Sequence, residues 1–258
     1  MVRPSQQPAP DAGVRPSIWE LPEHGERGPK ARYSRPAIAA AAVALADAEG
    51  LDAVTMRRMA AGLGLGTMSL YTYVPTKDHL VQLMIDQVSG EYRFPARPPR
   101  DPRQAIVELA RQGRDITQRH PWLPRVMTTQ PPAMGPAMLR FADYFLGLLS
   151  GTGLDAGRKM ELLALVNGFA VNYGGMQAAL AEERARTGVT AEQQAAAQVG
   201  QLVTAAASGR YPNLAAVLAG PAPADRDADE IFDSCISRLV EGYLSGVPGR
   251  RARAAPGS

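Results

Sequence analysis

The 258-residue chain has one cysteine, Cys235, so it can form no intramolecular disulfide, and no Cys/His spacing resembles a zinc site. Such cysteine usage fits a reducing compartment. The first thirty residues hold no continuous apolar run, which argues against a secretory leader. The most apolar later stretch, LLALVNGFAVNYGGMQAAL, starts just after Glu161 and is interrupted by Asn167, Asn172 and several glycines. It reads as a buried helix and not as a membrane span. A soluble, cytoplasmic protein with no membrane partner is expected. Charge of one sign is also scarce: the net value is +3, too small to identify a nucleic-acid partner unless the placement of charges supports it. Strand-like alternation and internal repeats are missing. No Gly-Lys-Ser/Thr occurs, and no nucleophile sits with a paired base. Ser69 lacks a nucleophile elbow, and His120 begins a turn before Pro121 with no second ligand at useful spacing. No catalytic residue, cofactor or metal site is expected.

What remains is helical. An apolar fraction of 45% is ordinary for a globular chain of this length and allows a sizeable core. Ser34 as a cap, Pro36 in the first turn and AIAAAAVALADAEG predict a helix that stops at Gly50, with Ile38, Ala42, Leu45 and Ala46 on one face. Thr55, Thr67 and Thr76 are placed to cap three further helices, the last carrying Leu80, Leu83, Met84 and Val88 at helical spacing. The prolines of RFPARPPRDP mark a connector. Helices are then expected at about 102–119, 121–128, 135–151, 155–184, 190–207, 211–219 and 226–246. The expected division is a disordered basic arm over 1–33, a DNA-binding domain over 34–92, a ligand-binding and dimerisation domain over 101–247, and a disordered tail over 248–258.

The segment TMRRMAAGLGLGTMSLYTYVPTKDHL, residues 55–80, spaces Gly62, Gly64 and Gly66 alternately. A phosphate-cradling glycine loop needs a buried strand before it and a helix after it. Here the preceding MRRMAAGL has helical spacing, which sets the cofactor reading aside. A helix-turn-helix accounts for more. Ala60 is small enough for a helix crossing, Gly64 suits a positive φ in the turn, and Leu63, Leu65 and Leu70 would point inward. The exposed side of the second helix would then present Thr67, Met68, Ser69, Thr72 and Tyr73, neutral groups suited to base edges in the major groove. A tyrosine such as Tyr71, taken alone, is more often a packing residue than a DNA contact.

These residues resemble the DNA-binding domain of the tetracycline-repressor (TetR) family of bacterial regulators. The likeness rests on Thr55, Arg57, Ala60, Leu63, Gly64, Leu65, Ser69, Leu70, Tyr71, Tyr73, Val74, Lys77, Leu80 and Leu83, and it runs without a gap from about Ser34 to Ile85. More loosely, HPWLPRVMTTQPPAMGPAMLRF is similar to the family's ligand-domain segment, and DEIFDSCISRLVEGYL to its final dimer helix. The resemblance implies an all-α fold: an N-terminal three-helix helix-turn-helix domain followed by a larger helical body that binds ligand and dimerises. It implies that Arg57, Thr67, Met68, Ser69, Thr72 and Tyr73 approach base edges, and that Thr55, Tyr71, Tyr73 and Lys77 approach phosphates. Lys77, in the first turn of its helix, gains nothing from the helix dipole, which fits an external anion. Some actinomycete relatives carry a basic N-terminal extension that reaches DNA. Arg27, Lys30, Arg32 and the adjoining Arg35 are the matching cations here; the bland alternative is a solvated tail interrupted by an apolar SIW. Deleting residues 1–31 is expected to leave the dimer folded.

Candidate ligand contacts are Trp122, Met127, Gln130, Met134, Phe141, Tyr144, Phe145, Asn167, Phe169, Tyr173 and Gln177; for any single aromatic among them ordinary core packing is the commoner role. Asn167 stands out with Asn172, because a buried amide needs partners. In the final helix Ile231, Cys235, Leu239 and Leu244 lie alongside Phe232, Ile236, Val240 and Tyr243, too broad a stripe for one packing surface. The expected partners are double-stranded operator DNA, a small-molecule inducer that is hydrophobic or aromatic, and a second copy of the chain. An exporter gene is a candidate target by family analogy alone. The competing readings are a helical adaptor that binds no DNA and an enzyme without a recognisable site.

Overall fold

The computed structural model describes residues 16–22, 33–129, 134–221 and 226–245, and every regular element among them is helical. Local signals set the helix ends of the front part. In α1 (Arg35–Glu49) the Ser34 side chain accepts from Ala37 N at 3.3 Å, and the helix stops at Gly50. Thr55 caps α2 (Met56–Gly62) by accepting from Arg58 N, and Thr76 caps α4 (Lys77–Ser89) by accepting from His79 N. The third expected cap differs. Thr67 is the first residue of α3 (Thr67–Tyr73), and Gly66 takes the cap position with no side-chain bond. Gly64 turns the chain between α2 and α3 at φ 63°, where a Cβ would be strained. Ile38, Ala42, Val54, Ala60, Leu70, Val74, Leu80, Met84 and Val88 are almost completely buried, which makes this small domain one apolar core. Leu63 and Leu65 are only half-buried.

The chain divides into two units, one of Met1–Glu91 with Arg125–Phe141, the other of Tyr92–Pro124 with Ala142–Ser258. Two findings in the first unit depart from the sequence reading. Residues 125–141 group with the front domain and not with the body. A side chain far away in sequence helps to hold them: Asp86 Oδ1 accepts from Ala137 N at 2.9 Å and Met138 N at 3.1 Å, capping α7 (Pro136–Leu148). Arg125 also pairs with Asp52 at 3.0 Å. Moreover, the stretch expected to be a disordered arm contains a short helical turn, Ile18–Glu20, and Ile18 is fully buried. Its removal would open an apolar site, so deleting residues 1–31 carries a stability cost that a solvated tail would not.

The second unit is a helical body. It contains α5 (Pro102–Arg119), the start of α6 (Leu123–Thr129), the end of α7, α8 (Ala156–Thr187), α9 (Ala191–Ala207), α10 (Pro212–Leu218) and α11 (Ala228–Ser245). α5 lies closely on α8, where a Cβ on Gly174 would stand 2.6 Å from Arg114 O, so only glycine permits the approach. α11 runs antiparallel to α5, tied by Arg103 to Glu241, Arg111 to Asp233 and Arg114 to Asp229. Phe232, Ile236 and Val240 of α11 are fully buried at i, i+4, i+8 spacing, with Ile106, Phe145, Leu149 and Leu162 also fully buried in the unit.

Candidate nucleic-acid interface

Three short elements build the reading head: α2, the turn at Gly64, and α3. Leu70 faces inward at 0% exposure and fixes the rotation of α3. That rotation leaves Met68 at 79% exposure, Tyr71 at 40%, and Ser69 and Thr72 exposed, with Thr67 half-buried at the helix start. Thr72 Oγ1 donates to Ser69 O at 2.7 Å, so its hydroxyl proton is committed and the oxygen is left as an acceptor. Tyr73 departs from the expectation: it is buried at 9%, on the core side of α3, and does not belong to the exposed face. The reason is helical geometry, since a residue three positions after Leu70 shares its face.

The cations separate into different roles. Arg58 pairs with Glu49, whereas Arg57, exposed in the first turn of α2, has no such carboxylate among the described residues. Lys77 is exposed at the start of α4. Asp52 is held below the usual carboxylate range, first by its hydrogen bond from Arg125, with the charge of Lys77 contributing. Thr55 uses its hydroxyl oxygen as a cap, and its exposure leaves the α2 N-terminus open to an anion.

Arg27, Lys30 and Arg32 lie outside the described residues. Arg35, grouped with them by sequence, is a buried structural residue at 8% exposure, bonded to backbone carbonyls. Sequence position beside other cations concealed this. After the undescribed stretch, Tyr33 donates its hydroxyl to Leu63 O next to the helix-turn-helix turn.

The expected ligand contacts sort into several places. In the second unit Phe169, Tyr173 and Phe232 form a trio with ring centroids 5.2–5.6 Å apart, and Tyr173 donates its hydroxyl to Ala228 O at 2.9 Å. Trp122 is buried with its ring 5.9 Å from His120. Half-buried Tyr144 lies 4.8 Å from Phe94, and Phe145 is fully buried. Gln177 accepts from Gln118, which occupies one face of that amide. Asn167 is half-buried, but Asn172 is exposed and needs no buried partner. In the first unit Phe141 is buried, Met127 half-buried and Met134 45% exposed, while Gln130 lies outside the described residues. Two residues of the trio's neighbourhood were missed. Phe232, read from the sequence only as part of the broad apolar stripe of the final helix, is at the centre of the trio with the Arg114 guanidinium 4.9 Å above its ring. Arg114 is only 8% exposed and is paired with Asp115 and Asp229. Its position four residues after Ala110, on the apolar side of α5, was the available signal.

The body also presents apolar residues outward: Met160, Leu165 and Met176 on α8, Val199, Leu202 and Val203 on α9, and Ile231 on α11 are 37–54% exposed. No helix among the described residues is long and apolar enough to cross a membrane.

Comparison with known proteins agrees with this geometry. Residues 38–84 match the family model described as bacterial regulatory proteins, tetR family, and residues 94–245 match the tetracyclin repressor-like C-terminal domain. The chain is 35% identical over 244 residues to the HTH-type transcriptional repressor DrrR1 of Streptomyces coeruleorubidus, covering 93% of this chain and 87% of that protein. Among solved structures it is similar to apo ActR from Streptomyces coelicolor, with TM-score 0.69 and 28% identity over 85% of this chain and 98% of that one. ActR in complex with actinorhodin gives TM-score 0.68 and 29% identity, over 84% and 99% of the two chains.

Proposed function

Because the chain belongs to the TetR family of bacterial regulatory proteins, we propose that it is a homodimeric transcriptional repressor that leaves its operator when a small molecule binds the helical body. The observation that carries this reading is the α3 surface. A buried Leu70 holds Met68, Ser69, Tyr71 and Thr72 outward on a short helix, a set of neutral and apolar groups that can discriminate base edges. Lys77 at the start of α4 supplies a phosphate contact that orients the head, and Arg57 at the start of α2 can reach a guanine edge or a phosphate. A dimer would place two such heads on half-sites about one helical turn, or a small multiple, apart. The outward apolar residues of α8 and α11 support a helical dimer surface.

For the ligand, the likeness to ActR, crystallised with actinorhodin, supports a bulky hydrophobic or aromatic molecule. The Phe169–Tyr173–Phe232 trio is the aromatic surface in the body best suited to stack on one. Release follows from linkage. A ligand that prefers the DNA-incompetent dimer by about 5.5 kcal/mol moves a 1:99 equilibrium to 99:1, and DNA must then weaken ligand binding by the same factor. The test is selection of duplexes from a random pool by the intact protein, followed by titration with and without actinorhodin as the probe. A pseudo-palindromic consensus with salt-sensitive affinity supports the regulator. Failure to enrich any duplex refutes it.

A further inference from the structure

Arg35 offers one guanidinium to four backbone carbonyls. Nε donates to Tyr73 O at 3.2 Å, one terminal nitrogen to Ile18 O at 2.9 Å and Leu21 O at 3.0 Å, and the other to Pro22 O at 2.9 Å. Tyr73 is the last residue of α3, so its carbonyl is among those a helix leaves without an internal donor. A cation at that end also suits the helix dipole. The other three carbonyls belong to Pro16–Pro22, the apolar interruption of an otherwise polar N-terminal stretch. Because the guanidinium is a rigid planar fork, it fixes these carbonyls relative to one another.

The same segment is held independently on α4 and beside α7. Ile18 is fully buried and its N–H donates to Gln82 Oε1 at 3.0 Å. His79 Nε2 lies 3.0 Å from Pro16 O, and since a carbonyl only accepts, the ring proton is on that nitrogen. Trp19 packs so closely on Gly135, the residue before α7, that an added Cβ would meet its ring at 2.4 Å. Meanwhile α3 has only seven residues, too few for a helix that holds itself in water. Its pose is therefore set by what packs around it.

We propose that Pro16–Pro22 is a clasp of the reading head, and that Arg35 is a positioning residue for DNA recognition, coupling the clasp to the C-terminal end of α3. The inference rests on α3 being the element that reads DNA. Arg35 is buried and offers no charge to phosphates, so its loss acts on the pose of α3. Specific binding depends on that pose, whereas non-specific binding rests on exposed cations and phosphate charge.

The experiment uses the full chain labelled with 5-fluorotryptophan, whose two tryptophans give two fluorine resonances, the one from Trp19 being identified by its loss in Trp19→Phe. Arg35→Gln and Ile18→Asn are compared with wild type on a duplex that wild type selects from a random pool, and on a scrambled duplex of equal length. In both variants the Trp19 resonance should move to a solvent-exposed position. Affinity for the selected duplex should fall about tenfold or more, and affinity for the scrambled duplex less than twofold. Far-UV circular dichroism at the assay temperature checks that helix content is kept; if Arg35→Gln loses it, Ile18→Asn, which leaves Arg35 and every residue of α3 unchanged, carries the same comparison. Release of Trp19 with unchanged specific affinity overturns the inference, as does equal loss on both duplexes or a Trp19 already exposed in wild type. If wild type enriches no duplex, the underlying reading of α3 fails, and the inference with it.

Discussion

Replacing Ile18 by alanine separates a docked segment from a solvated tail by stability alone. Ile18 has no exposed surface, and the change removes three buried carbons. At about 0.8 kcal/mol per buried methylene the transfer loss is roughly 2.4 kcal/mol. A residual cavity would add to it, and buried Ile→Ala changes commonly cost about 2–5 kcal/mol. The segment, however, can detach when its anchor weakens, so the loss cannot exceed the free energy of docking. We expect about 2–3 kcal/mol for the first unit. At about 2–4 °C per kcal/mol for a domain or chain of this size, the melting midpoint should drop by roughly 5–10 °C. The assay is urea and thermal unfolding followed by circular dichroism at fixed protein concentration, because dimerisation makes the midpoint concentration-dependent. Deletion of residues 1–22 should be no milder than Ile18→Ala and should set the ceiling. A loss below about 0.5 kcal/mol, the size of an ordinary surface change, would refute the reasoning.

Lys77→Ala should weaken binding to operator and random duplex alike and reduce the salt slope by about 0.9, one phosphate equivalent, in a fluorescence-anisotropy titration; Ser69→Ala should lower operator affinity more than random affinity. Hydrogen bonds from Arg111 hold the Asp233 carboxyl below its ordinary 3.8. Its contribution is therefore present above that value and lost as pH falls through the lowered one, so Asp233→Asn should flatten the acid limb of the stability curve below about pH 4 in equilibrium unfolding. Leu165→Glu and Ile231→Glu place charge on the outward apolar surface of α8 and α11. Sedimentation should show the variants dissociating at concentrations where wild type is dimeric, and an unchanged dimer would remove that surface from the interface.

Much of this protein is legible residue by residue because helix ends are local events. Ser34, Thr55 and Thr76 bond the backbone three residues on, the prolines at 36, 102 and 212 sit in first turns, and Gly64 supplies the positive φ of the reading-head turn. The spacing of Leu70 and Leu80 likewise encodes which face of each short helix is buried. What tertiary structure alone decided involves groups that meet from far apart in the chain. Nothing local to Arg35 distinguishes it from the cations before it; it is buried because carbonyls from Ile18, Leu21, Pro22 and Tyr73 converge on it. Asp86 draws the start of α7 to the front unit through two backbone N–H groups some fifty residues away. Aromatic residues that composition alone would pool into one pocket are divided among Phe94, His120 and Phe232 as neighbours, because packing sorts them by three-dimensional proximity, and helical periodicity carries no record of that.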